Sequence, residues 1–302
     1  MKKLFFIVSI ALATITAFSC SNDETETANN DHSATEAKQI ENLQKLQNDM
    51  ANLTKEWQTR QPLAITRSEQ NSNIANRMTN SISITGADLA GAFIGAHFGG
   101  FGALVGGALA SGVAYWEREK YGDKGFTFGT VVPNNTIIFE DKSTATMIDS
   151  IGYYHNKILM NIGERRLADV AIEDMEELII NSAIEVIGNT PDFNKPELRN
   201  NECTIFFIKN ISRLNAAKTT DDYCKILSES NQISKEEMNI IKTYIDGLAT
   251  IDNTNGEYTR AVINTIDNSD INPETATSLK NSVLVGNASQ KLWVETTTTS
   301  PE

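Results

Sequence analysis

The 302-residue sequence predicts a mainly α-helical protein, and three features carry that reading. A helical apolar period runs almost unbroken from Thr144 to Gln290, an apolar seam at heptad spacing precedes Pro62, and small residues recur every four positions between Ala87 and Ser111. The expected architecture is a helical-bundle C-terminal domain over 144–293, an N-terminal helical arm, and between them a glycine-zipper helix or helical hairpin. Composition bounds the function. The formal net charge is -13, from 26 Lys+Arg against 39 Asp+Glu, which argues against a nucleic-acid partner. Three His and three Cys, widely spaced, leave no clustered ligand set for a metal, and no cofactor is expected.

The chain opens with Lys2 and Lys3, followed by an uncharged run from Leu4 to Phe18. That run suits the core of a signal peptide (residues 1–19) better than a membrane span, which needs about 20 apolar residues. It ends at Ala17-Phe18-Ser19-Cys20, which resembles a bacterial lipoprotein signal with Cys20 as the lipid-attachment residue. The acidic stretch Ser21-Asn22-Asp23-Glu24-Thr25-Glu26-Thr27 resembles the surface-export signal of Bacteroidota lipoproteins. These resemblances imply an exported, lipid-anchored protein of the outer membrane or cell surface, with membrane lipid as its first partner. Residues 20–35 are expected to be an acidic disordered tether.

An amphipathic helix is predicted over 36–60, where Leu43, Leu46, Met50, Leu53 and Trp57 alternate spacings of three and four. Such a seam packs on its own domain or on a helical partner protein. Pro62 ends it, and 61–84 is a polar linker. Arg60, Arg67 and Arg77 are candidate proteolytic sites there.

Residues 85–116 are the most unusual stretch. Nine of the 18 glycines fall between Gly86 and Gly112, and no Asp, Glu, Lys or Arg occurs from Leu89 to Trp116. Ala87, Gly91, Gly95, Gly99, Ala103, Gly107 and Ser111 form a stripe of small side chains on a continuous helix. Such a stripe lets helix backbones approach closely, in lipid or in a tight core. Gly99-Gly100-Phe101-Gly102 is the place where the helix would fold into a hairpin. Tyr115 and Trp116 are placed to anchor one end at a bilayer interface. His97 reads as a packing or solvent-facing residue, or as a pH-sensitive group within a membrane segment.

Residues 117–143 read as a loop or short hairpin, with strand-like runs at Thr130–Val132 and Thr136–Phe139. Helices are predicted at 144–162, 166–188, 196–215, 220–230, 235–250, 255–268 and 273–292. Ser234 with Glu237 matches a capping box, and Pro273 sits at a first helical position after Asn272. The tail 294–302 is expected to be disordered. In an oxidising compartment Cys203 and Cys224 form one disulfide or remain two buried thiols. No HExxH, GxSxG, Walker or EF-hand pattern is present, so an enzyme is not expected. His155, with no acid neighbour in sequence, reads as a structural residue, with catalysis as the alternative.

The Gly-rich segment from Ala87-Asp88-Leu89-Ala90-Gly91-Ala92 onward resembles the membrane-active part of class II bacteriocins. Gly152 to Leu159, with His155-Asn156, and the closing Ser278-to-Trp293 helix resemble Bacteroidota surface lipoproteins to which no activity attaches. The bacteriocin resemblance implies a membrane-active segment, hence an antibacterial toxin activated by proteolysis, with a target membrane as partner. The alternative is a non-enzymatic structural or partner-binding envelope lipoprotein whose Gly-rich segment only packs helices.

Overall fold

The computed structural model describes residues 25–62, 84–96, 99–121, 126–128, 151–188, 202–217, 219–230, 232–253 and 255–295. Cys20, Arg67, Arg77 and His97 lie outside them, as do the strand-like runs at 130–132 and 136–139. The chain forms two compact units, Met1–Glu41 and Asn42–Glu302. The described part of the first is the opening of helix α1 (Thr25–Arg60), so helix begins inside the segment expected to be a tether.

The second unit is mainly α. Its helices are the remainder of α1, α2 (Gly86–Gly95), α3 (Gly99–Tyr121), α4 (Ile151–Ile162), α5 (Glu164–Asp169), α6 (Met175–Ile187), α7 (Glu202–Ala216), α8 (Thr220–Ser228), α9 (Lys235–Thr250), α10 (Glu257–Asp267) and α11 (Pro273–Leu292). Two three-residue strands, β1 (Phe126–Phe128) and β2 (Trp293–Glu295), pair antiparallel with Phe128 opposite Trp293. The short ladder therefore joins the middle of the chain to its end. It is not the local hairpin expected within 117–143, and it orders the first two residues of the expected tail.

Local chemistry explains the helix ends that sequence located. The Ser234 hydroxyl accepts from the Glu237 amide at 3.2 Å, and the Glu237 carboxylate accepts from the Ser234 amide at 2.9 Å. Both of these otherwise orphaned donors are thereby satisfied at the start of α9. Asn272 caps α11 by accepting from the Thr275 amide at 2.7 Å, with Pro273 at the first helical position. The helix expected over 166–188 is broken in two. Val170 is extended at the end of α5, and its carbonyl accepts from the Trp116 indole at 2.9 Å. Trp116 thus fastens α3 to the break between α5 and α6.

The seam of α1 is occupied by its own domain. Leu43, Leu46 and Met50 are buried, and Trp57 meets Tyr258 edge to face at 6.2 Å between ring centroids. The Thr54 and Tyr258 hydroxyls are 2.8 Å apart, and Gln58 donates to Thr250 at 2.9 Å. These contacts hold this part of α1 against α9 and α10.

At the centre lies the Gly-rich segment, folded as an antiparallel hairpin of α2 and α3. Every residue of α2 is buried, and so is α3 from Gly102 to Tyr115. Helix α11 covers α2, while α4, α5, α6 and α7 lie against α3. The amphipathic helices form a sheath, and the hairpin takes the place that a single apolar stripe on each helix cannot fill alone.

Candidate functional site

The hairpin closes backbone to backbone. A Cβ placed on Gly91 would stand 2.3 Å from the Gly106 carbonyl oxygen, and one on Gly95 would stand 2.1 Å from that of Gly102. Both are impossible contacts, so only glycine permits this approach. The helix–helix seam therefore consists of Gly91 and Gly95 against Gly102, Gly106 and Ala110. Gly107 and Ser111 of the expected stripe stand beside this seam and also meet α2: a Cβ on Gly107 would lie 3.4 Å from the Ala92 Cβ and the Asp88 carbonyl oxygen and 3.0 Å from the Val285 methyl of α11, and the Ser111 hydroxyl donates to Asp88. Gly99 packs against nothing. It stands at φ 83°, the left-handed region, where the chain turns between the two helices. The turn resets the helical phase, so the closest backbone contacts in α3 fall at Gly102 and Gly106, one position before Ala103 and Gly107 of the repeat.

The sheath uses the same device. Gly152 of α4 lies against the Leu284 carbonyl of α11, 2.6 Å from its would-be Cβ, and Gly286 lies against the Leu89 side chain. Ser282 of α11 donates to the Leu89 carbonyl at 2.7 Å, tying the sheath to the backbone of α2.

One polar cluster interrupts this apolar interior. Asp88 on α2 is completely buried. Its Oδ2 accepts from the Ser111 hydroxyl at 3.0 Å, and Ser111 in turn accepts from the Trp293 indole at 2.9 Å. His155 on α4, also completely buried, places Nε2 3.5 Å from the same Asp88 oxygen. Its Nδ1 lies 2.9 Å from Asn156 Oδ1, while Asn156 Nδ2 donates to the Ala288 carbonyl. That arrangement places the imidazole proton on Nδ1 and leaves Nε2 bare toward Asp88. Ser289 stands close enough to favour the ionised carboxyl, without hydrogen-bond geometry. Among the described residues, Asp88 Oδ1, His155 Nε2 and the Ser289 and Tyr223 hydroxyls are buried without hydrogen-bond partners.

Burial decides the charge state. It pushes the Asp88 carboxyl well above the usual carboxylate range, against the pull of the Ser289 and Ser111 hydroxyls. Burial also lowers His155 to about 4, against the pull of Asn156 and of the Gly107 backbone, which stands close without hydrogen-bond geometry. Burial thus disfavours the charged form of both groups.

Ser, His and Asp together suggest a nucleophile triad, but their order is wrong. A triad places the imidazole between hydroxyl and carboxylate, whereas here the carboxyl sits between Ser111 and His155. All three side chains are shielded from solvent, so no substrate reaches them in this state. The surface grooves at Asp49–Asn268, Thr220–Lys242 and Gly163–Asp169 are lined by other residues.

The other candidate residues are dispersed. Arg60 ends α1, exposed and paired with Glu56 at 2.5 Å. Cys224 is a free, buried thiol, and the Cys203 side chain lies outside the described residues. The amphipathic face of α8 turns Cys224 into the core alongside Tyr223 and Leu227. Tyr115 stacks on Trp293 at 5.0 Å between centroids, inside the domain and not at an exposed end. Among the described residues, no group of three or more His, Cys, Asp or Glu could hold a metal ion. No helix among them is long and apolar enough to cross a membrane.

Asp88 was the residue that sequence reasoning passed over. Its signal was available: it is the single charged residue between Thr85 and Trp116. No family model, curated protein or solved structure matches the chain.

Proposed function

We propose that this is a membrane-active envelope lipoprotein that stores an apolar, glycine-packed hairpin inside a helical sheath. The observation that carries the reading is the complete burial of α2 and of α3 from Gly102 to Tyr115. A hairpin with no water-compatible face cannot leave its sheath except into another apolar phase. Anchorage through Cys20 would hold the protein at a bilayer, with the outer membrane or cell surface as the expected site.

Length limits how the segment would insert. The ten residues of α2 span about 15 Å, half of the roughly 30 Å hydrocarbon core. Inserted as a hairpin, it would reach one leaflet. To span, α2 and α3 would have to merge into one helix. Only then would Ala87, Gly91, Gly95, Gly99, Ala103, Gly107 and Ser111 line up as one continuous small face.

A second reading is favoured by the impossible Cβ contacts at Gly91 and Gly95: the glycines serve dense packing alone, in a structural or partner-binding lipoprotein. Dye release from phosphatidylethanolamine–phosphatidylglycerol vesicles separates the two. The chain from Cys20 would be tested intact and after limited trypsin cleavage. Leakage by the cleaved protein, with residues 84–116 protected by lipid from a second protease, is expected under the first reading. A folded, cleaved sample that releases no dye at any protein-to-lipid ratio leaves only the second.

A further inference from the structure

We propose that Asp88 and His155 are a one-proton clasp between hairpin and sheath: the hairpin is held while the pair carries a single proton, and the hold weakens as rising pH removes it. The inference deepens the membrane-active reading by naming its control, and it rests on that reading only for its biological use.

The geometry sets the clasp. Asp88 belongs to the hairpin and His155 to the sheath helix α4, with 3.5 Å between Oδ2 and Nε2. Neither has access to water, and among the described residues Asp88 Oδ1 and His155 Nε2 have no hydrogen-bond partner that could take over the charge. The elements around the pair bring little else that titrates. Helix α3 presents the Ser111 hydroxyl, α8 the Tyr223 phenol, and α11 the Ser289 hydroxyl, with the Trp293 indole behind Ser111. The Tyr223 phenol is held protonated by burial. Such a site tolerates a neutral pair. It does not tolerate a lone carboxylate, which would be a buried charge without a partner.

Proton counting gives the direction. With the hairpin open, the two groups take their ordinary values, 3.8 for the carboxyl and 6.5 for the imidazole. Between about pH 4 and 6.5 the open state therefore carries one proton, on His155. The closed state also carries one, on Asp88. The equilibrium between them is then independent of pH. The count is the same whichever of the two groups holds the proton in the closed state. Above 6.5 the open state loses its proton while the closed state keeps one. Opening then grows about tenfold per pH unit until Asp88 ionises in place.

The test is urea unfolding of the whole chain from pH 4.5 to 9, referenced at each pH to the Asp88→Asn/His155→Gln double variant, which cancels the other titrating groups. The ratio of unfolding constants is expected to be level up to about 6.5 and to climb about tenfold per unit above it. A level ratio up to pH 9 overturns the clasp. Should the double variant not fold, the imidazole of His155 is followed by NMR in the wild-type chain. It is expected not to titrate between pH 5 and 8, and an ordinary midpoint near 6.5 overturns the proposal. Vesicle leakage at pH 6 and pH 8 keeps the two ideas apart. The pH break without leakage upholds the clasp and removes the membrane reading, and leakage without the break does the reverse.

Discussion

Replacing Gly91 by Ala adds one methyl group to the densest contact in the molecule. The new Cβ would lie 2.3 Å from the Gly106 carbonyl oxygen, 2.7 Å from the Ala110 Cβ and 2.9 Å from the Gly106 carbonyl carbon. Two of these three atoms are backbone and cannot rotate away. Helices α2 and α3 must part by roughly 1 Å to restore ordinary contact, and gaps of that size forfeit about a quarter to a half of the dispersion energy along the seam. Overpacking of this kind typically costs about 1–3 kcal/mol. Against it stands the helix preference of Ala over Gly, up to about 1 kcal/mol. The net expectation is a loss on the order of 1–2 kcal/mol. Gly100→Ala is the internal control. It lies in the same segment, in helix, with nothing within 4 Å of its would-be Cβ. There the helix preference acts alone, and a gain of up to about 1 kcal/mol is expected. Urea unfolding followed by far-ultraviolet circular dichroism at one fixed pH measures both. Equal stability of the two variants would refute the claim that α2 and α3 meet backbone to backbone.

Three further outcomes are expected. Gly152→Ala should destabilise by about 1–3 kcal/mol, because its methyl would meet the Leu284 carbonyl at 2.6 Å; a stability matching wild type in the same urea assay would contradict the α4–α11 contact. Tyr223→Phe removes a buried hydroxyl that has no hydrogen-bond partner, so stability should hold or rise by about 1 kcal/mol, and a loss above 1 kcal/mol would show that the hydroxyl is bonded. The Cys224 thiol, pushed up to about 12 by burial, should react with a maleimide only after unfolding; rapid labelling of the native protein at pH 7 in a Cys20→Ser/Cys203→Ser background would show it to be exposed.

Much of the helical framework was legible along the chain because its signals are local. The capping box at Ser234 and Glu237 and the Asn272-Pro273 start need only neighbouring residues, and both sit where the pattern placed them. The seam of α1 was equally legible as a buried face, but not its occupant. Leu43 and Met50 say that something covers them, and only the fold shows that α9 and α10 do so. The 166–188 helix failed for the same reason in reverse, since a tertiary hydrogen bond from Trp116 holds its break at Val170. The setting of Cys224 was not legible, because Cys count and spacing carry no information on which side of α8 faces the core.

By itself the sequence determined that the chain is mainly helical and that residues 85–116 must either pack tightly or meet lipid. Helical period, caps and the absence of charge act within a few residues and are written in order. Tertiary structure alone decided which glycines touch, because the turn at Gly99 shifts the phase of α3 against α2. It also decided that Asp88 and His155, 67 positions apart, share one buried contact. A carboxyl and an imidazole acquire joint chemistry only when folding removes the water between them, and no local pattern records that event.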